Sequence, residues 1–149
     1  MKMPGRARRR PWCPRKRILI PFVQLVVDGA VDFRKQDNDR VRDCARRGLC
    51  QLCGTPLDPL IVFLGGEIAT RQRLFREPPF HEECARFSLT VCPYLRRTDD
   101  PINATFCRRF DWLPARFPLP QEDAPHGVEG RAFVAHAIVR VESVGRWAA

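Results

Sequence analysis

The stretch that decides the fold is Cys50-Gln51-Leu52-Cys53-Gly54, read together with His81-Glu82-Glu83-Cys84; 27 residues separate Cys53 from His81. Two short pairs of thiolate and imidazole donors across such a gap have the spacing of zinc ligands. A Cys-x-x-Cys-Gly knuckle turns both thiolates inward, and Gly54 permits the sharp exit. His81 and Cys84, three apart in a first helical turn, share one face, and the helix N-terminus favours the Cys84 thiolate. Three thiolates and one imidazole complete a tetrahedral Zn²⁺ shell, the mark of a structural rather than a catalytic site. Such an ion contributes ~10–16 kcal/mol to folding, against a net domain stability of roughly 5–15 kcal/mol. A redox reading of Cys50 and Cys53 lacks the helix directly after the first Cys and the alternating β/α elements it needs.

Between the pairs, residues 60–64 form an apolar run ended by Gly65-Gly66, and residues 71–76 would return beside it as a hairpin partner. Pro78-Pro79 breaks that strand. Phe80, Cys84, Phe87 and Val91 then recur at helical spacing, and Pro93 ends the helix near Cys92. Knuckle, hairpin and a helix with two ligands at its start make a treble clef. Upstream, residues 22–27 have strand composition, Asp28-Gly29 is a two-residue hairpin signal, and residues 30–35 alternate as a return strand. Residues 40–47 read as a short helix, with capping candidates Asp37, Asn38 and Asp39 before it and Gly48 after it. Downstream, residues 98–131 read as a Pro-rich irregular linker. In residues 132–149, Val134, Ile138, Val141 and Gly145 fit a helix face, with strand alternation the other reading. The expected fold is α+β: a small zinc-centred treble clef over residues 18–97, with short β-hairpins and two to three helices.

The charge is uneven. Residues 1–17 hold eight basic side chains and no acid, whereas the rest of the chain holds 18 basic and 17 acidic ones. The net charge of +9 therefore belongs to an N-terminal arm, expected to be disordered and attracted to polyanions. Its candidate nucleic-acid contacts are Arg8, Arg9, Arg10, Arg15, Lys16 and Arg17, with Arg71 and Arg73 on the hairpin; Arg76 and Arg86 could extend the surface. Trp12 sits among the arm's cations and offers a ring for stacking. The longest uncharged apolar-rich run, residues 18–27, is half of what a membrane-spanning helix needs. As a secretory signal it fits poorly, because Pro21 and Gln24 interrupt it and no small-x-small cleavage site follows. Seven Cys at uneven spacing suit metal-bound thiolates in a reducing cytoplasm better than a disulfide framework. Cys44 and Cys92 read as core thiols, Cys44 being the more credible substitute ligand. Cys13 and Cys107 carry no assignment, and neither His126 nor His136 marks a site.

From residue 21 to residue 97 the chain resembles a family of small, uncharacterised bacterial and phage-borne proteins of zinc-finger type. The resemblance is carried by Phe22-Val23, Val27-Asp28-Gly29, Val31-Asp32-Phe33-Arg34, the knuckle from Leu49 through Pro56-Leu57, Pro78-Pro79 with His81 and Cys84-Ala85, and Cys92-Pro93 with Leu95. It implies metal binding on Cys50, Cys53, His81 and Cys84 and a cytoplasmic location, and it names no substrate. Segment 98–125 departs from the family pattern, while Gly130-Arg131 precedes what would be its C-terminal helix.

The leading functional expectation is a non-enzymatic zinc module that binds nucleic acid. A protein-interaction adaptor using the Pro-rich stretch is the alternative. A degenerate treble-clef nuclease is the third reading, and it would need a catalytic His in the hairpin. No His lies between Cys53 and His81, and no Ser-His-Asp set, Cys-His set or paired carboxylates stand out.

Overall fold

The computed structural model describes residues 2–91, 101–115 and 128–148. It is α+β, and three α-helices and eight strands fall among the described residues. Strands β1 (Trp12–Cys13) and β2 (Ile18–Leu19) form a small antiparallel hairpin. A second hairpin joins β3 (Gln24–Val27) to β4 (Ala30–Gln36). Its turn residues Asp28 and Gly29 have φ of 50° and 78°, the positive values that a two-residue connection between twisted strands requires. Helix α1 (Asn38–Arg47) follows. The Asp37 side chain accepts from the N–H groups of Asp39 and Arg40, and Gly48 ends the helix in the left-handed region. Val41 and Cys44 form its buried stripe.

The main sheet has four antiparallel strands in the order β5-β7-β8-β6: β5 (Ile61–Gly65), β6 (Leu74–Phe75), β7 (Asn103–Pro114) and β8 (Arg131–Ser143). This corrects the sequence reading in three places. First, β5 and residues 71–76 do not form a hairpin. Helix α2 (Glu67–Gln72) connects them, and they lie on opposite edges of the sheet with β7 and β8 between. Residues 67–72 hold good helix formers (Glu67, Ala69, Arg71 and Gln72) and only Ile68 as a large apolar side chain, so local propensity wins there. Second, the expected irregular linker contains β7, the middle of the sheet.

Third, the helical reading of 132–149 gives way to β8. Phe133 and Ala135, two apart, point into the core, whereas Val141 from the supposed helix face is half exposed. The helix stripe left out Phe133, the residue with most to bury.

Both faces of the sheet are covered around β5, so alternate residues enter different cores. Val62, Ala104 and Phe106 pack with the Cys50, Cys53 and Cys84 side chains, and Phe87 from helix α3 (Glu82–Val91) joins them. Ile61, Phe63, Cys107, Phe133 and Ala135 pack with Val41, Cys44 and Phe75 on the other side. The Phe63 ring stacks on Phe75 at 4.8 Å. That two-sided burial explains why β5 reads as a continuous apolar run.

The N-terminal segment also differs from the free arm expected. Ala7 and Leu19 are fully buried in the core that contains the three thiols. Arg6 forms ion pairs with Asp58 at 3.1 Å and Glu83 at 2.7 Å, and Arg10 donates to the Ile20 carbonyl at 3.1 Å. A cluster of like charges suggested repulsion and solvation. Arg6 and Arg10 escape that because acids and carbonyls far along the chain engage them. Cys92, the Pro93 helix end, His126 and the Pro-rich 116–127 lie outside the described residues.

Candidate metal centre

The backbone builds the site from three directions. Knuckle residues Leu49 and Pro56 form an isolated bridge, and the Cys50 N–H donates to the Thr55 carbonyl. Gly54, at φ +72°, turns the chain inside this loop. On one side the Phe22 and Val23 N–H groups donate to the carbonyls of Leu52 and Gln51. On the other, the Gln51 N–H donates to the Pro79 carbonyl, and the Gln51 side chain donates to the Pro78 carbonyl. Gln51, between the two thiols, is thus a buried polar brace with its hydrogen bonds made. Phe80 pairs with Val62 through bonds of 2.8 and 3.0 Å, adding its backbone to the edge of β5. His81 follows directly and leads into α3, which carries Cys84 on its first turn.

These elements bring together the four residues that the spacing singled out. Cys50, Cys53, His81 and Cys84 are all buried, and their donor atoms lie within 4.8 Å of one another. His81 Nδ1 is 3.4 Å from Cys53 Sγ and 3.9 Å from Cys84 Sγ. Tetrahedral bonds of about 2.3 Å to sulfur and about 2.0–2.1 Å to nitrogen would set S···N near ~3.6 Å, between those two distances. The ring's other nitrogen, Nε2, lies 2.9 Å from the Pro56 carbonyl. A carbonyl only accepts, so Nε2 donates to it, which leaves Nδ1, facing the thiols, as the nitrogen that would hold a metal. The Thr55 hydroxyl lies 3.0 Å from Cys53 Sγ.

The electrostatics also call for a cation. Hydrogen bonds from Cys50 and Cys84 hold Cys53 below the ordinary thiol range. Burial lowers the pKa of His81, and hydrogen bonds with Cys50 and Cys53 more than reverse this, lifting it to about 10. Three thiolates, a neutral imidazole and a divalent ion would leave one negative charge. Asp58 chiefly, with a small part from the Cys53 thiolate, raises Arg6, while burial and Arg40 lower Arg10 against the pull of Cys53. The donor set fits Zn²⁺ well: soft sulfur, borderline nitrogen and four ligands. This set would close the coordination shell.

Cys44 and Cys107 are buried in the opposite core and stand outside the cluster. Burial raises the thiol of each, Cys107 to about 11, which keeps both neutral. Cys13 is partly exposed in β1. His136, on β8, meets Asp111 of β7 at 2.7 Å in the open.

The basic candidates divide. Arg8, Arg9, Arg15, Lys16 and Arg17 are exposed around the β1–β2 hairpin, whereas Arg10 is partly buried and engaged. Arg71 and Arg73 are exposed at the end of α2, where Arg71 lies 3.8 Å from Glu67. Arg86 is committed internally: it lies 4.3 Å over Trp147 and near Glu82 and Glu142. Thr55, Pro56 and Gln51, which support the ligands, escaped sequence reasoning. The Thr two residues after the second Cys was their only visible signal. No protein-family model, curated protein or solved structure matches the chain. Among the described residues, no helix is long and apolar enough to cross a membrane.

Proposed function

We propose that the chain is a non-enzymatic structural-zinc module that binds nucleic acid through its basic N-terminal segment, in a reducing cytoplasm where the thiolates persist. One observation carries the reading. A segment pinned to the metal centre by buried Ala7 and paired Arg6 presents Arg8, Arg9, Arg15, Lys16 and Arg17 to solvent, and none of the five has an ion pair among the described residues. Cations on a fixed scaffold meet phosphates without the full entropy cost of ordering a free tail. Four protein donors leave the zinc no open position, so the reading assigns it no catalytic role.

The test is a salt titration of binding to a labelled oligonucleotide. Affinity should fall linearly on a log–log plot, with a slope of about −0.7 to −0.9 per phosphate contact. The combined Arg8→Ala, Arg9→Ala and Arg15→Ala variant should flatten that slope by about two to three units. Affinity that ignores salt, or a slope unchanged in the triple variant, removes the proposal.

A further inference from the structure

Among the large apolar side chains exposed in the described residues, Trp12 is the most exposed, at 55%. It sits at the start of β1 opposite buried Leu19, so its place in the hairpin is fixed while more than half of it stays exposed. The hairpin is held firmly. Ile20 N–H donates to the Pro11 carbonyl at 2.8 Å, and Arg10 reaches the Ile20 carbonyl while lying 5.6 Å over the Phe22 ring. Arg8 and Arg9 precede Trp12, and Arg15, Lys16 and Arg17 form the turn after it.

Lys16 also faces strand β4. Its ammonium lies 5.3 Å over the Phe33 ring, in an open cleft of about 430 Å³ lined by Lys16, Val31, Asp32, Phe33 and Arg34. Asp32 is the one acid there. Its carboxylate accepts from the Arg34 N–H at 2.9 Å and lies 3.6 Å from the Arg34 guanidinium. Through Lys16 the cleft adjoins the turn of the hairpin that carries Trp12, bringing a second aromatic ring, Phe33, beside it.

We infer that the β1–β2 hairpin and the facing part of β4 bind single-stranded nucleic acid, with Trp12 as a base-stacking platform. The inference rests on the nucleic-acid reading above and narrows it. Phosphates alone would need only the cations. A preorganised exposed indole among them adds a surface for an aromatic base, and base faces are open only where strands are unpaired. Stacking of this kind tolerates any sequence, because every base has a π-face.

The experiment uses the full zinc-loaded chain and three labelled probes of about 15 nucleotides, long enough to cover a surface of this kind. These are a thymidine oligonucleotide, a duplex, and a thymidine oligonucleotide carrying abasic residues throughout its middle. The thymidine strand should bind about ten-fold more tightly than the other two. Trp12→Ala should remove most of that advantage, and Trp12→Phe should retain it. Because Trp12 is exposed, loss of its ring leaves the core intact, and zinc content measured alongside confirms this. Equal binding of all three probes, unaltered by Trp12→Ala, overturns the stacking inference while nucleic-acid binding stands. No binding to any probe at low salt overturns the nucleic-acid reading itself, and the inference with it.

Discussion

The hydroxyl of Thr55 lies 3.0 Å from Sγ of Cys53. With Cys53 a metal-bound thiolate, Thr55 must be the donor, and its hydrogen bond tempers the sulfur's charge and fixes its direction. Thr55→Val keeps the shape and removes the donor. Zinc affinity, read by competition with a chromophoric chelator, should fall about ten-fold, at the lower end of outer-shell effects. Thr55→Ser should restore it. Equal affinities for all three proteins would mean that the contact is incidental.

Chelation makes the larger test. The thiols of Cys50, Cys53 and Cys84 sit in one core with Ala7, Leu19, Phe80 and Phe106, so a zinc ion bound there would tie together the N-terminal segment, the knuckle, α3 and the sheet. Its ~10–16 kcal/mol is comparable to or exceeds the roughly 5–15 kcal/mol net stability of a domain. Stripping the zinc, or making Cys84→Ser, should abolish the cooperative melting transition followed by circular dichroism. The pH dependence has a fixed sign. Coordinating thiolates bind protons only when the metal leaves, so zinc release should increase as pH falls and stability should fall with it. A sharp, unshifted melt after complete chelation would show that the cores suffice alone.

The four candidate ligands were legible because chemistry sets their spacing locally: two residues within a knuckle and two within a helical turn. Capping by Asp37 and Gly48 and the Asp28-Gly29 turn were legible for the same reason. What the sequence hid is long-range. Strand β6 is two residues long, so only its pairing with Phe133 and Val134 defines it, some sixty positions away. The role of Arg6 depends on Asp58 and Glu83. In β8 the helical and strand periods both found apolar residues, and only the aromatic neighbours of Phe133 decide between them.

Those neighbours give a measurable consequence. Phe133 is fully buried with its ring 6.0 Å from Phe63, 5.7 Å from Phe110 and 6.2 Å from Trp112. Phe133→Ala should cost about 3–5 kcal/mol in denaturant unfolding. A C-terminal region that was only loosely attached would lose far less, so a change under about 1 kcal/mol would contradict the central place of β8 in the sheet.

Glu142 should titrate unusually. The Trp147 indole N–H donates to it at 2.9 Å and the Arg140 guanidinium at 2.8 Å, and together they hold its carboxyl below the ordinary glutamate value of 4.5. A depressed folded-state pKa contributes stability that is present above the unfolded value and is lost as pH falls through the folded one. The Trp147 indole resonance, followed by NMR on zinc-loaded protein above the pH at which the metal leaves, should therefore shift along a curve whose fitted midpoint lies below 4.5. Glu142→Gln should flatten that titration. A midpoint at or above the ordinary value would mean that the two donors do not hold the carboxylate in solution.

Two glycines separate backbone strain from crowding at the metal site. Gly48 and Gly54 both have positive φ, +65° and +72°. An added Cβ at Gly48 meets nothing within 4 Å, whereas at Gly54 it would lie 2.7 Å from Cδ2 of Phe22. That ring has little freedom to retreat. The Arg40 and Arg10 guanidiniums lie 4.9 and 5.6 Å from it, and the Phe22 N–H is bonded to the Leu52 carbonyl inside the knuckle. Gly48→Ala should cost the left-handed backbone penalty alone, about 1–2 kcal/mol, with zinc affinity unchanged. Gly54→Ala should cost more than Gly48→Ala and should also weaken zinc, because displacing Phe22 pulls on the loop that aims Cys50 and Cys53. If the two variants melt alike and bind zinc alike, the contact between Phe22 and the knuckle does not help to position the thiolates.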